Sequence, residues 1–207
     1  MRLDHVSYAC APGELAEVVQ RLGADLGATF VDGGIHPSFG TRNFILSMAD
    51  GTYIEVVAAL DHPAADKAPF GRAVRQRADE GGGWLGWVIA VEDIAAVETR
   101  LGRESVAGHR IRPDGADLRW RQIGILELLD DPQLPYFIEW ERRSEHPSAI
   151  GGEVRLASIE MCGASDVLAA WLGPNADPGV SVTWVDSDER GIVACNFLTP
   201  RGFVRID

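Results

Sequence analysis

The 207-residue chain is poor in the features that announce a compartment or a chemistry. Its three cysteines, Cys10, Cys162 and Cys195, are odd in number and widely spaced, with no CxxC pair. That pattern argues against a disulfide framework, a zinc site or a thiol redox motif, so each cysteine is read as a small buried hydrophobe in a reducing compartment. No apolar run approaches the ~20 residues that span a bilayer, and Met1-Arg2-Leu3-Asp4-His5 lacks the core of a signal peptide. A cytoplasmic location with no membrane partner is the expectation. Positive charge is scarce: 19 Lys and Arg stand against 31 Asp and Glu, a net charge of −12. Nucleic acid is therefore not an expected partner, because proteins bind it by replacing counterions with their own cations. A Gly-rich phosphate loop, a GxSxG elbow, an HExxH pair and an EF-hand are all missing, which removes a nucleotide cofactor and several enzyme classes.

What is present is a globular composition, 46% hydrophobic and 24% charged, long enough for one domain or two small ones. An order of elements recurs along it. Residues Leu3 to Ala9 form a β-rich run, followed from Pro12 by a helical stretch with Leu15, Val18, Val19 and Leu22 on one face and Gly23 as its stop. Strands at 29–31, 42–48 and 52–58 follow, with Asp32-Gly33-Gly34 as a turn and Asp50-Gly51 as a tight hairpin. The order is βαβββ. It returns from Trp84 to Val91, through a helix carrying Ile94, Val97 and Leu101, to strands near 110–111, 118–126 and 136–140. A shorter copy, with strands at 154–160, 180–185, 192–198 and 203–206, completes the chain. The expected division is a first module over residues 1–59, a helix-containing linker over 60–83, a second module over 84–148 and a partial βαββ module over 149–207.

Taken together, the repeated βαβββ order, Leu3-Asp4-His5-Val6, the loop from His36 to Asn43, Gly51-Thr52-Tyr53-Ile54-Glu55, and Leu118 to Arg121 with Phe137-Ile138-Glu139-Trp140 resemble the glyoxalase-like branch of the vicinal oxygen chelate superfamily. The resemblance implies an α+β fold in which paired βαβββ modules form a curved mixed β-sheet cup with outer helices, joined here by a third partial module. It also implies a metal at the centre of the cup, held from the first and last strands of each module and chelating vicinal oxygens of a substrate. Carried over, the ligand places fall on His5, Glu55 and Glu139, while the fourth falls on Trp87, whose indole is a donor only. One imidazole and two carboxylates would suit Mn²⁺, Mg²⁺, Zn²⁺ or Fe²⁺.

The implied activity is that of a lyase, isomerase or dioxygenase-like enzyme acting on a small oxygenated, anionic substrate, with His5 and Glu139 as catalytic groups. Without a metal, His5 with Glu55 or Glu139 would make a general acid–base pair. Arg119 and Arg121 share one strand face, either toward solvent or toward the cup, where their guanidinium forks would bind an anion. Of Arg42 and Asn43 at most one points inward, and His36 is either a surface loop residue or a pocket group. The alternative is a metal-free binding or sequestering protein that grips an apolar-aromatic ligand through Trp87, Trp120, Phe39 and Tyr53. In either case the expected partners are a small molecule and a second copy of the chain.

Overall fold

The computed structural model describes residues 1–142 and 146–207. In chain order it contains β1 (Arg2–Ala9), α1 (Leu15–Leu26), β2 (Val31–His36), β3 (Thr41–Ser47), β4 (Tyr53–Ala59), α2 (Pro63–Lys67) and α3 (Pro69–Asp79). There follow β5 (Gly83–Ala90), α4 (Ile94–Leu101), β6 (Val106–Ile111), β7 (Asp117–Ile123), α5 (Glu127–Asp130) and β8 (Tyr136–Trp140). The C-terminal part is β9 (Arg155–Cys162), α6 (Ser165–Leu172), β10 (Ser181–Trp184), β11 (Gly191–Thr199) and β12 (Gly202–Ile206).

The curved mixed sheet implied by the family resemblance is present, and it closes. In each module the last strand lies parallel to the first, β4 beside β1 and β8 beside β5. The modules meet along β1 and β5, antiparallel over most of their length, and on the far side through a single pair, Ile35 with Ile111. The result is an eight-stranded barrel in the order β1-β4-β3-β2-β6-β7-β8-β5. Alternation along each strand then separates an inner face from an outer face that packs on helices.

Several local differences from the sequence reading matter for the site. Helix α1 runs past Gly23 to Leu26, because Leu26 adds a fully buried turn to the stripe begun by Leu22, and left-handed Gly27 ends it. Residues Asp32 to Gly34 are a bulged part of β2 and not a turn, which carries His36 to the strand end with its side chain buried. The hairpin after β3 is wider than a two-residue turn: Met48 N–H donates to the Thr52 carbonyl at 2.9 Å, with Gly51 left-handed within it.

Between the modules, α2 and α3 close one end of the barrel. Phe70, Ala73 and Val74 of α3 pack on Phe39, Val57, Leu85 and Val88, and burying a side chain such as Phe70 is worth about 1.5–3 kcal/mol. Gly81, Gly82 and Gly83 all have positive φ (107°, 77° and 119°), a sharp return from α3 into β5 that side chains with a Cβ would strain.

The C-terminal strands form a separate sheet, β10-β9-β11-β12. Its topology departs from that of the modules, since β10 is the parallel neighbour of β9 and the β11–β12 hairpin continues on the other side. Its apolar face, with Ile159, Met161, Cys195 and Phe197, joins the outer core of the barrel around Trp84, Trp87 and Phe137. No helix among the described residues is long and apolar enough to cross a membrane.

Candidate functional site

The inner face of the barrel gathers polar groups that are costly to bury unless paired. Strand β1 supplies three. Its pairing with β5 slips between Leu3 and His5, so Asp4 is an extra residue in a β-bulge, and Asp4 and His5 both serve the interior. Asp4, with no exposed surface, accepts from three donors: the His5 Nδ1 at 2.7 Å, the Trp140 Nε1 at 3.0 Å and the His146 Nε2 at 2.9 Å. Burial alone would raise its pKa, but the two histidines outweigh that and hold it far below the usual carboxylate range. Asp4 is thus an acceptor only, which places the ring proton of a neutral His5 on Nδ1 and leaves Nε2 as a bare lone pair.

That Nε2 looks into the barrel. The Tyr136 hydroxyl lies 3.4 Å from it and the Glu55 Oε2 3.8 Å from it. Tyr53 stacks on the His5 ring, centroids 4.3 Å apart and planes within 17°, which fixes the imidazole plane. Burial, reinforced by Asp4 and Glu55, pushes both tyrosine hydroxyls well above their ordinary pKa, so each remains a donor.

Glu55 on β4 accepts from the Ser7 Oγ at 2.8 Å and the Asn43 Nδ2 at 2.6 Å. Burial opposes its charge, yet His5, His36 and these two hydrogen bonds prevail and lower its pKa. His36 faces it with Nε2 3.9 Å from Oε1 and is fixed through Nδ1 to the Thr41 Oγ1 at 2.9 Å. Burial pulls the His36 pKa down to about 4, so at neutral pH this ring is uncharged.

Phe39, Phe70, Trp120 and Trp140 wall the remaining space together with Gln122 and Arg110. The cavity measures about 20 Å³, room for a guest the size of one water, which needs roughly 10–15 Å³. Arg110, only 4% exposed, also lines an outer groove of about 340 Å³ that includes Arg112, Asp114 and His146. Its Nε has no hydrogen-bond partner, and burial lowers its pKa against the pull of Tyr53 and Glu55.

The sequence-derived candidates divide sharply. His5, Glu55, His36 and Trp120 meet at this cavity. Glu139 does not: Ile138 and Trp140 line the cavity, and Glu139 turns to the other face of β8, paired across the ladder with Arg121. Arg119 and Arg121 point outward as well, bonded to Asp117 at 2.6 Å and to the Ser105 Oγ at 2.8 Å. Arg42 bonds Asp32 at 2.5 Å on the outer face, while Asn43 turns in. Trp87 is buried in the outer core, its indole N–H donating to the Gln133 carbonyl at 2.9 Å.

Register explains the second-module differences. His5 pairs with Tyr53 and Val88 with Tyr136, so the partners of His5 and Tyr53 under the repeat are Val88 and Tyr136. Glu55 then answers to Ile138, one residue away from Glu139, and a one-residue slip exchanges faces. The expected metal set therefore reduces to His5 and Glu55, with apolar side chains at the two places of the second module. Among the described residues no three His, Cys, Asp or Glu side chains are grouped to hold an ion. The donor set does not fit the implied chelate.

Asp4, Tyr136, Gln122 and Arg110 were not singled out from sequence. The inward set Leu118, Trp120, Gln122 on β7, opposite Gly108 and Arg110 on β6, follows from strand alternation once Trp120 is placed inside. The Asp4 bulge has no such signal.

No curated protein matches the chain. Among solved structures, a hypothetical protein from Staphylococcus aureus aligns over 100% of this chain and 85% of its own, at 14% identity and a TM-score of 0.61. Methylmalonyl-CoA epimerases are also similar: that of Mycobacterium tuberculosis over 67% of this chain and 86% of its own (17% identity, TM-score 0.44), and one from Streptomyces coelicolor in complex with 2-nitronate-propionyl-CoA over 68% and 93% (15% identity, TM-score 0.45). The family model described as a glyoxalase-like domain matches residues 3–175, and with its barrel of paired βαβββ modules the chain belongs to that family.

Proposed function

We propose that the protein is a proton-transfer enzyme of the isomerase or lyase kind, acting on a small oxygenated carbon acid whose reacting carbon reaches His5 when the aromatic walls part, since the closed cavity holds a guest the size of one water. The observation that carries this reading is the Asp4–His5 pair, which aims a bare Nε2 into an apolar-walled space beside the Tyr136 hydroxyl. In the step envisaged, Nε2 takes a proton from a carbon next to a carbonyl, and the electron pair moves onto the carbonyl oxygen as an enolate. The Tyr136 O–H donates to that oxygen, and Glu55 stabilises the imidazolium formed at His5. Return of the proton from Nε2 to the neighbouring carbon of an enediolate, with the hydroxyl proton passing to the first oxygen, gives an isomer; expulsion of a neighbouring group gives a lyase.

A second reading, capture of a ligand without chemistry, is favoured by the aromatic walls of Phe39, Phe70, Trp120 and Trp140. Proton–deuterium exchange in D₂O, followed by proton NMR on pyruvate, 2-oxobutyrate and neutral hydroxyacetone, separates the two. Exchange by the wild type that is lost in His5→Gln supports the enzyme. Equal, background exchange by both proteins on every compound contradicts it.

A further inference from the structure

Arg110 is a buried cation that the chemistry above leaves without a task. Among the described residues no carboxylate forms an ion pair with its guanidinium, and no acceptor bonds it, although Asp32, Asp114 and Asp117 close by are engaged with Arg42, Arg112 and Arg119. Its backbone sits on β6 opposite Leu118, with the side chain between the inner cavity and the outer groove. Glu55 attracts this charge from a distance without bonding it, a buried charge without a bonded partner is costly, and a guanidinium offers a planar fork of donors matched to a carboxylate. The Gln122 Oε1 accepts from the Trp120 Nε1 at 2.6 Å, so the amide group of Gln122 is left as a further donor to the same space.

We propose that Arg110, which lines both the cavity and the groove, is the binding residue for a carboxylate group of the ligand, with the reactive carbon inward toward His5. This rests on the proton-transfer reading only for the orientation of the ligand. Charge argues against dianions: with Asp4 and Glu55 both ionised in the same barrel, one guanidinium leaves no surplus of positive charge, and a dianion such as a phosphate ester meets more repulsion than a monocarboxylate. The small cavity behind Arg110 sets the size of the inner part, and the roomier groove accepts whatever lies beyond the carboxylate.

The test uses thermal unfolding and tryptophan fluorescence of the full chain with propionate and phenylacetate, their neutral amides, and inorganic phosphate, for the wild type, Arg110→Met, Arg110→Lys and His5→Gln. Carboxylates are expected to raise the wild-type Tm, with amides and phosphate giving little shift. Without ligand, Arg110→Met melts at or above the wild-type temperature, because an unpaired buried charge is gone. Its carboxylate affinity falls about ten- to hundredfold, the worth of a charge-assisted bond, and Arg110→Lys retains part of it. Equal carboxylate shifts in wild type and Arg110→Met, a larger shift with phosphate, or a marked loss of Tm in Arg110→Met would overturn the assignment. His5→Gln is expected to keep carboxylate binding while it loses exchange; in the wild type, carboxylate binding without exchange removes the proton-transfer reading alone, and exchange without carboxylate binding removes the Arg110 assignment alone.

Discussion

Asp4 and His5 are consecutive residues of one β-strand, yet their side chains meet, with the Asp4 Oδ1 2.7 Å from the His5 Nδ1 on the inside of the barrel. A regular strand would send them to opposite faces. The bulge against β5 brings them together and so creates an oriented, buried imidazole. From this pair follow the main expectations for the protein.

Asp4→Asn keeps the shape but removes the charge and offers an amide to three N–H donors. Deuterium exchange should fall by about 10²- to 10⁴-fold, the range of a positioned general base, with the tautomer of His5 disturbed. Asp4→Ala should in addition destabilise the fold by about 3–5 kcal/mol, since partners at His5, Trp140 and His146 are left unpaired. Urea unfolding of both variants beside the wild type checks this; wild-type exchange in Asp4→Asn would count against the pair.

Acid should weaken the fold in two stages. His36 titrates at about 4 when folded and about 6.5 when unfolded, so the unfolded chain takes up the extra proton between those values. Stability is lost there as pH falls, by up to about 1.4 kcal/mol per pH unit. Asp4 and Glu55, whose folded pKa values are depressed, contribute stability above the ordinary carboxylate range of about 4 that is lost as pH drops below it. In His36→Gln the first stage should disappear from urea midpoints measured at pH 7, 6 and 5, and an unchanged slope would exclude His36 as its source.

The outward residues should be dispensable. Glu139→Gln, Arg119→Ala and Arg121→Ala are expected to leave exchange unchanged and to alter stability by no more than about 1 kcal/mol, as for half-exposed ion pairs. Trp87→Ala, by contrast, should cost about 3–5 kcal/mol through the cavity it leaves in the outer core. A tenfold or greater loss of exchange in Glu139→Gln with normal stability would bring that carboxylate back into the site.

Chelation separates the acid–base account from the metal chelate implied by resemblance. Because only His5 and Glu55 of the implied set meet, dialysis against EDTA should leave exchange and Tm unchanged. Loss of exchange restored by Mn²⁺ or Zn²⁺ would show an ion bridging the two.

The repeat and its strands were legible because short-range alternation and turn residues determine them. Alternation accounts for Tyr53 and Glu55 sharing one face of β4, while it was the family resemblance that brought Glu55 together with His5, as the cavity requires. What escaped depends on pairing between distant strands. The overlay of Phe137-Ile138-Glu139 on Tyr53-Ile54-Glu55 is natural in sequence, but the β5–β8 register moves it by one residue and sends Phe137 against Trp171 outside and Tyr136 inside. The bulge at Asp4 similarly exists only because β1 lies against β5, and closure of the barrel rests on Ile35 meeting Ile111. Arg110 was overlooked because a lone arginine in a short strand carries no sign of burial until the opposing strand is known.

The central claim is that Asp4 holds His5 with an unprotonated Nε2 facing the cavity. Nitrogen-15 NMR of ring-labelled protein, at a pH where His5 is neutral, reads this directly: the account predicts a proton on Nδ1 and none on Nε2, with that preference weakened in Asp4→Asn. A proton resident on Nε2 of the neutral ring in the wild type would contradict it.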